Sequence, residues 1–237
     1  MEQKPDGGPA VSKRLVVYCE GQTEELFVNR LLRPHLGLHG IKVERPILAA
    51  TSHDPRGQRG GFVNWEAIAF DLRTEFAQDA DPELRFTTLL DTYAMPKVVL
   101  TLAGLNAPAG TQTEVEAVEQ AIAGHFNEPR FKAYLQRHEL EALLLADIAA
   151  LGRVFHRHTT GIAALGATIS GFSNPEDINH GSSTHPAARL ETAIPGYGVL
   201  KDSNAYWVLA EAGLDGVRSR CPRFDAWLSH WENWASV

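Results

Sequence analysis

Residues 14–19 form an almost unbroken apolar run, Leu15-Val16-Val17-Tyr18-Cys19 after Arg14, that stops at Glu20 and Gly21. A run of this length bounded by a turn signal predicts a buried strand. The period then changes. Leu26, Phe27, Leu31, Leu32 and Leu36 recur at helical spacing over residues 23–36, with Gly37 and Gly40 expected to close the helix. Residues 43–50 read as a second, weaker strand, and residues 51–61 as a polar, glycine-rich loop carrying Arg56 and Arg59. Trp65, Ile68, Ala69 and Leu72 mark another helix. Phe86 to Leu90 is a short strand ending at Asp91, and residues 92–110 read as a loop. A helix is expected over residues 113–125, with Val115, Val118, Ile122 and Phe126 on its apolar face. A strand over 130–136 follows, then a helix from Glu139 carrying Leu140, Leu143, Leu144 and Ile148. Strands alternating with helices predict βαβ units and an α/β fold: a mainly parallel, Rossmann-like sheet flanked by helices.

After residue 150 the texture changes to short helical patterns broken by Asn174-Pro175, Pro186, Pro195-Gly196, Gly213 and Pro222. The expected organisation is a disordered tail over 1–12, an α/β core over 13–150, and a helical C-terminal cap over 151–237 packed on that core. Trp227, Trp231 and Trp234 repeat at spacings of four and three and read as a packing face.

Composition narrows the class. The chain has 237 residues, 44% of them hydrophobic, enough for a substantial core. No apolar stretch nears the ~20 residues that cross a bilayer, and residues 1–12 lack the apolar centre of an export signal. Only Cys19 and Cys221 occur, so a reducing, cytoplasmic setting is expected rather than a disulfide framework. The net charge of -7 argues against broad coating of nucleic acid, but leaves room for one local basic groove.

The candidate chemistry gathers at strand ends. In open α/β sheets, ligands bind beyond the carboxyl ends of strands, where the pattern puts Glu20, Asp91 and the group His138, Glu139 and Glu141. Glu20 reads either as an anion settled on the following helix N-terminus or as a ligand for a hard divalent cation. Glu24 and Glu25 fit the first description as first-turn acids. Asp91 either caps a turn or joins Glu20 in the metal shell. His138 and Glu141, three apart on an expected helix, share a face. They are either helix-start groups or a water or phosphate contact and a metal ligand or base. Arg56 and Arg59 suit phosphate oxygens or a solvated loop. Arg153, His156, Arg157 and His158 form a basic run that reads as an exposed face or a backbone track. Asn174 to Asn179 is a turn-rich segment with oxygen donors at Glu176, Asp177 and Asn179; its plain reading is a capped helix start with Pro175 in first position. Lys201 is a lone cation of the cap, read either as an exposed lysine or as a charge that neutralises a transition-state phosphate. There is no Walker loop, no zinc-type cysteine spacing and no Gly-x-Ser-x-Gly elbow.

The phrases Val17 to Glu25 (VYCEGQTEE), Thr87 to Pro96 (TTLLDTYAMP), His138 to Leu144 (HELEALL), Asn174 to Asn179 (NPEDIN) and Cys221 to Leu228 (CPRFDAWL) occur in that order. Together they resemble the bacterial Toprim-like family known as domain of unknown function 4276. The resemblance implies a Toprim-like core. It also implies Mg2+-dependent (or Mn2+-dependent) phosphodiester cleavage by a nuclease acting with a separate ATPase, in an anti-phage defence setting. Glu20, Asp91 and Glu141 would be metal ligands, His138 would assist, and Arg56 and Arg59 would contact phosphate. The chain departs from the Toprim pattern at one point: Thr92 and Tyr93 follow Asp91, so the second acid of the usual Asp-x-Asp pair is missing. The alternative is a catalytically degenerate sensor or regulatory subunit that docks on an ATPase.

Overall fold

The computed structural model describes residues 13–49, 64–93, 95–178 and 181–236. The tail expected over 1–12, the phosphate contacts expected of Arg56 and Arg59, and the oxygen donor Asn179 lie outside them.

Every strand pairing is parallel. β1 (Lys13–Cys19) is central, with β2 (Ile41–Val43) and β3 (Ile47–Leu48) along one edge and β4 (Leu84–Asp91) along the other. β5 (Phe131–Lys132) and β6 (Leu135–Gln136) continue the sheet beyond β4. The strand expected over 43–50 is displaced and broken: β2 ends at Val43 and β3 covers only Ile47–Leu48. Pro46 lies between them and has no N–H to give to a ladder. The expected strand over 130–136 is also two pieces.

Both sheet faces are covered, which explains why β1 and β4 read as continuous apolar runs. Leu15, Val17 and Cys19 point into one core, and Val16 and Tyr18 into the other, the two-residue alternation of a strand. The second core lies under α3 (Trp65–Gln78), α4 (Lys97–Leu102) and α5 (Gln112–Phe126). The first lies under α1 (Gln22–Phe27), α2 (Arg33–Leu38) and the later helices. These are α6 (Glu141–Leu144), α7 (Ile148–Val154), α8 (Thr159–Ile169), α9 (Pro186–Ala193), α10 (Lys201–Arg218) and α11 (Pro222–Ala235). The helical part beyond residue 150 thus shares one apolar core with α1 and a whole face of the sheet.

Three helical segments also differ from the sequence reading. α4 lies inside the segment read as a loop, because Pro96 starts a helix here rather than breaking one. α1 and α2 are joined by a π turn over Val28–Leu32, so the helix continues past Gly37 to Leu38. Pro34 cannot donate to the carbonyl four residues back, which suits the wider turn before it. The helix expected from Glu139 is the single turn of α6, followed after a break by α7. His138 precedes it with φ of 66°, a left-handed conformation that a helix cannot include. No helix of the described residues is long and apolar enough to cross a membrane.

α11 closes the first core. Trp227 and Trp231 are buried, Trp227 stacks on Tyr134 with ring centres 4.6 Å apart, and its Nε1 donates to Thr87 Oγ1 at 3.1 Å. The tryptophan repeat is a packing face, as its spacing implied. Cys19 and Cys221 are both buried free thiols.

Candidate metal crevice at the switch point

The chain leaves β1 for β2 on one side and later returns to β4 on the other. The order reverses between β1 and β4, and in such sheets the crevice beyond the strand ends at that point is where ligands bind. Glu20 follows the last residue of β1, and Asp91 is the last residue of β4. The strands are in register up to Cys19 and Leu89, so the two acids come out side by side. Asp91 donates its backbone N–H to Glu20 Oε2 at 2.8 Å. Its own Oδ1 is buried and has no hydrogen-bond partner among the described residues.

Glu24 lies one turn into α1, buried, and its Oε2 accepts the Gly21 N–H at 2.9 Å. It is the capping-box acid of that helix, so the helix-start reading accounts for its geometry. Glu141, the first residue of α6, is fully buried, and Lys201 Nζ, at the start of α10, lies 2.9 Å from its Oε1. Glu139 is buried too. Its Oε2 accepts the Ala187 N–H at 3.0 Å and meets His185 Nδ1 at 2.8 Å. The Tyr93 ring stacks on His185 at 4.8 Å. His138 enters through its backbone. Its N–H donates to Thr92 Oγ1 at 2.6 Å and its carbonyl accepts from Tyr93, which fixes the chain beyond Asp91. The shared helical face expected for His138 and Glu141 does not exist, because His138 stands outside α6.

The electrostatics follow from crowding acids into low dielectric. Burial pushes the Glu20 carboxyl up to about 7, with the charges of Glu139 and Glu141 adding to it and the Asp91 N–H and Lys201 opposing it. Burial likewise raises Glu24 to about 7, helped by the charge of Glu20. Asp91 is raised well above the carboxylate range by burial and then by Glu20, Glu24 and Glu141. Burial raises Glu141 as well, against the pull of Lys201. Burial works against the Lys201 charge, but Glu141 and Asp91 more than reverse it and hold the ammonium form. Five acids thus share one lysine. That excess of negative charge would be relieved by a cation, and Asp91 Oδ1, without a hydrogen-bond partner among the described residues, is an oxygen that could ligate one. The three-ligand convergence is incomplete: no three of these acids bring ligand atoms within 4.8 Å of one another.

Other candidates go elsewhere. Glu176 is fully buried, and its carboxylate accepts the N–H groups of Arg223 and Phe224 at 2.8 and 3.3 Å, which caps α11. Asp177 pairs with Arg137. Asn174 caps the 3-10 turn at Pro175–Asp177, as the plain reading expected. Arg153 pairs on an exposed face with Glu211. A groove of about 650 Å³ runs beside α1 instead, where Arg30, Arg33 and Arg45 outnumber the acids Glu25 and Asp202 by one. Thr23 Oγ1 bonds Asp202 Oδ1 at 2.5 Å and ties this groove to the start of α10. Lys201, Glu139 with His185, and this groove carry no spacing signal in the sequence, because their members meet only through the packing of α6, α9 and α10.

No curated protein and no solved structure matches the chain. A family model does match, over residues 19–232, which takes in the crevice acids from Glu20 onward, all of β4 and most of α11, and on that ground the chain belongs to the family described as domain of unknown function (DUF4276).

Proposed function

We propose that the crevice holds a divalent cation, Mg2+ or Mn2+, and that the protein is a Toprim-like nuclease that cleaves phosphodiesters. The observation that carries this reading is the Asp91 carboxylate. It is buried beside Glu20 at the sheet's switch point, and one of its oxygens has no partner among the described residues. Magnesium takes one or two carboxylates plus water and phosphate oxygens, so Glu20 and Asp91 suffice as direct ligands, with Glu141 nearby. Bound there, the ion would polarise a phosphoryl oxygen and lower the pKa of a water. Lys201, kept charged by Glu141, supplies a second positive charge for the phosphate. Glu139 holds the His185 ring, and Tyr93 lies flat on that ring, a surface suited to a base. Arg30 and Arg45, both exposed in the groove beside α1, are the phosphate contacts among the described residues. A separate ATPase as partner and an anti-phage setting follow from the family resemblance. Purified protein with Mg2+ or Mn2+ should cut single- or double-stranded DNA or RNA, and Asp91→Asn should not. Intact substrates under all these conditions, with a partner ATPase added, would sink the nuclease reading.

A second reading has its own support. The acids do not converge within one ion's first shell, the second acid of Asp-x-Asp is absent, and Val199 and Leu200, next to Lys201, are exposed apolar residues. These suit a regulatory subunit that docks on an ATPase. Melting that is identical with and without metal favours it, whereas a Mg2+-induced rise that vanishes in Glu20→Gln favours the nuclease.

A further inference from the structure

A second cluster of ligand-capable side chains lies at the opposite end of the sheet. α2 leads into β2, whose Ile41 pairs with Lys13 at the amino end of β1. β1 has seven residues, which at about 3.3 Å each puts this end roughly 20 Å from the crevice. His35 and His39 are four apart and so lie on one face of the helix, with ring centres 5.1 Å apart. Both approach the same atom of α11. Glu232 Oε1 is 2.6 Å from His35 Nε2 and 3.8 Å from His39 Nε2. Among the described residues these three are the group whose ligand atoms all lie within 4.8 Å of one another.

A hydrogen bond accounts for His35 but not for His39, whose nitrogen is too far from Glu232 to bond it. Nor does Glu232 need either ring, because Arg218 already donates to Oε1 at 2.7 Å and to Oε2 at 2.9 Å. Arg218 is itself held by Asp225 at 2.6 Å and Ser229 at 2.9 Å. A carboxylate oriented from behind by a fixed donor is the usual outer-shell arrangement of a metal ligand.

We propose that His35, His39 and Glu232 form a binding site for a transition-metal ion of the zinc class, which fastens α2 to the C-terminal helix. Two imidazoles and one carboxylate are a zinc ligand set, with water in the fourth position. His39 is more than a third exposed, which leaves that position open to solvent. The imidazole pair selects against Mg2+, which prefers oxygen donors. The site stands independently of the chemistry proposed for the crevice.

The test uses the full chain stripped with chelator, with Co2+ as a spectroscopic probe and Zn2+ as competitor. One Co2+ per chain should give visible ligand-field absorption that Zn2+ abolishes, and Zn2+ should raise Tm. In His39→Ala, whose side chain is exposed enough to remove without harming the fold, affinity should fall at least ~10-fold and the Tm rise should disappear. In Glu20→Gln both should persist. Absence of Co2+ and Zn2+ binding by the parent chain, or binding undiminished in both His39→Ala and His35→Ala, would overturn the proposal.

Discussion

Neutralising Glu20 should stabilise the metal-free protein, although the change removes a charged candidate ligand from the site. In the unfolded chain Glu20 titrates near the ordinary value of 4.5, and in the fold near 7. The folded state therefore binds more protons than the unfolded state between those two values, and stability falls as pH rises through that window. A difference of about 2.5 units corresponds to roughly 3 kcal/mol at about 1.4 kcal/mol per unit. Glu24 titrates in the same window and shares the effect with Glu20 through their mutual repulsion. Gln at position 20 keeps an oxygen to accept the Asp91 N–H and carries no charge. In EDTA at pH 8, Glu20→Gln should be more stable than the parent chain by on the order of 2–3 kcal/mol, or about 4–12 °C in Tm for a chain of this size. At pH 4.5 the two should melt alike. Urea or thermal unfolding at both pH values reads this directly. A variant less stable at pH 8, or a difference that is the same at both pH values, would refute the crowding of charge at the two strand ends.

Other predictions follow from the same contacts. Lys201→Met should cost about 1–3 kcal/mol at pH 8, below the 3–5 kcal/mol usual for half a buried pair because Lys201 is partly exposed; adding Glu141→Gln should recover most of it in a double-mutant cycle. Gly161→Ala should destabilise by about 1–3 kcal/mol, since a Cβ there would stand 2.2 Å from the Ala193 carbonyl oxygen and force α8 from α9; an unchanged urea midpoint would show that the two helices can part freely. Trp227→Ala removes the ring stacked on Tyr134 and should cost about 3–5 kcal/mol in chemical denaturation. Glu176→Ala leaves the N–H groups of Arg223 and Phe224 without their acceptor, and a loss of about 1–3 kcal/mol is expected; no loss would mean that α11 does not need its cap.

What the sequence disclosed follows from how each feature is encoded. β1 and β4 stood out because both sheet faces are buried and every residue of the run had to be apolar. Glu20 and Asp91 stood out because a polar residue ends such a run only where the strand leaves the core, and for parallel neighbours these exits lie at one edge. α4 was hidden because Pro96 serves as well to start a helix as to break one. α6 was overextended because periodicity does not report the left-handed turn at His138. Lys201 is 60 positions from Glu141 in the chain, and Glu139 is 46 from His185. Such partners are chosen by packing, so spacing rules cannot pair them. The histidine pair of α2 carried no signal of its own, since His35 and His39 draw meaning only from Glu232 on the last helix.

Calorimetric titration of Mg2+ into the metal-free protein at pH 8 tests the central claim most directly. The account predicts saturable binding in the parent chain, loss of that binding in Asp91→Asn and in Glu20→Gln, and no change in His39→Ala. Binding that is equally strong in Asp91→Asn, or absent from the parent chain, would contradict it.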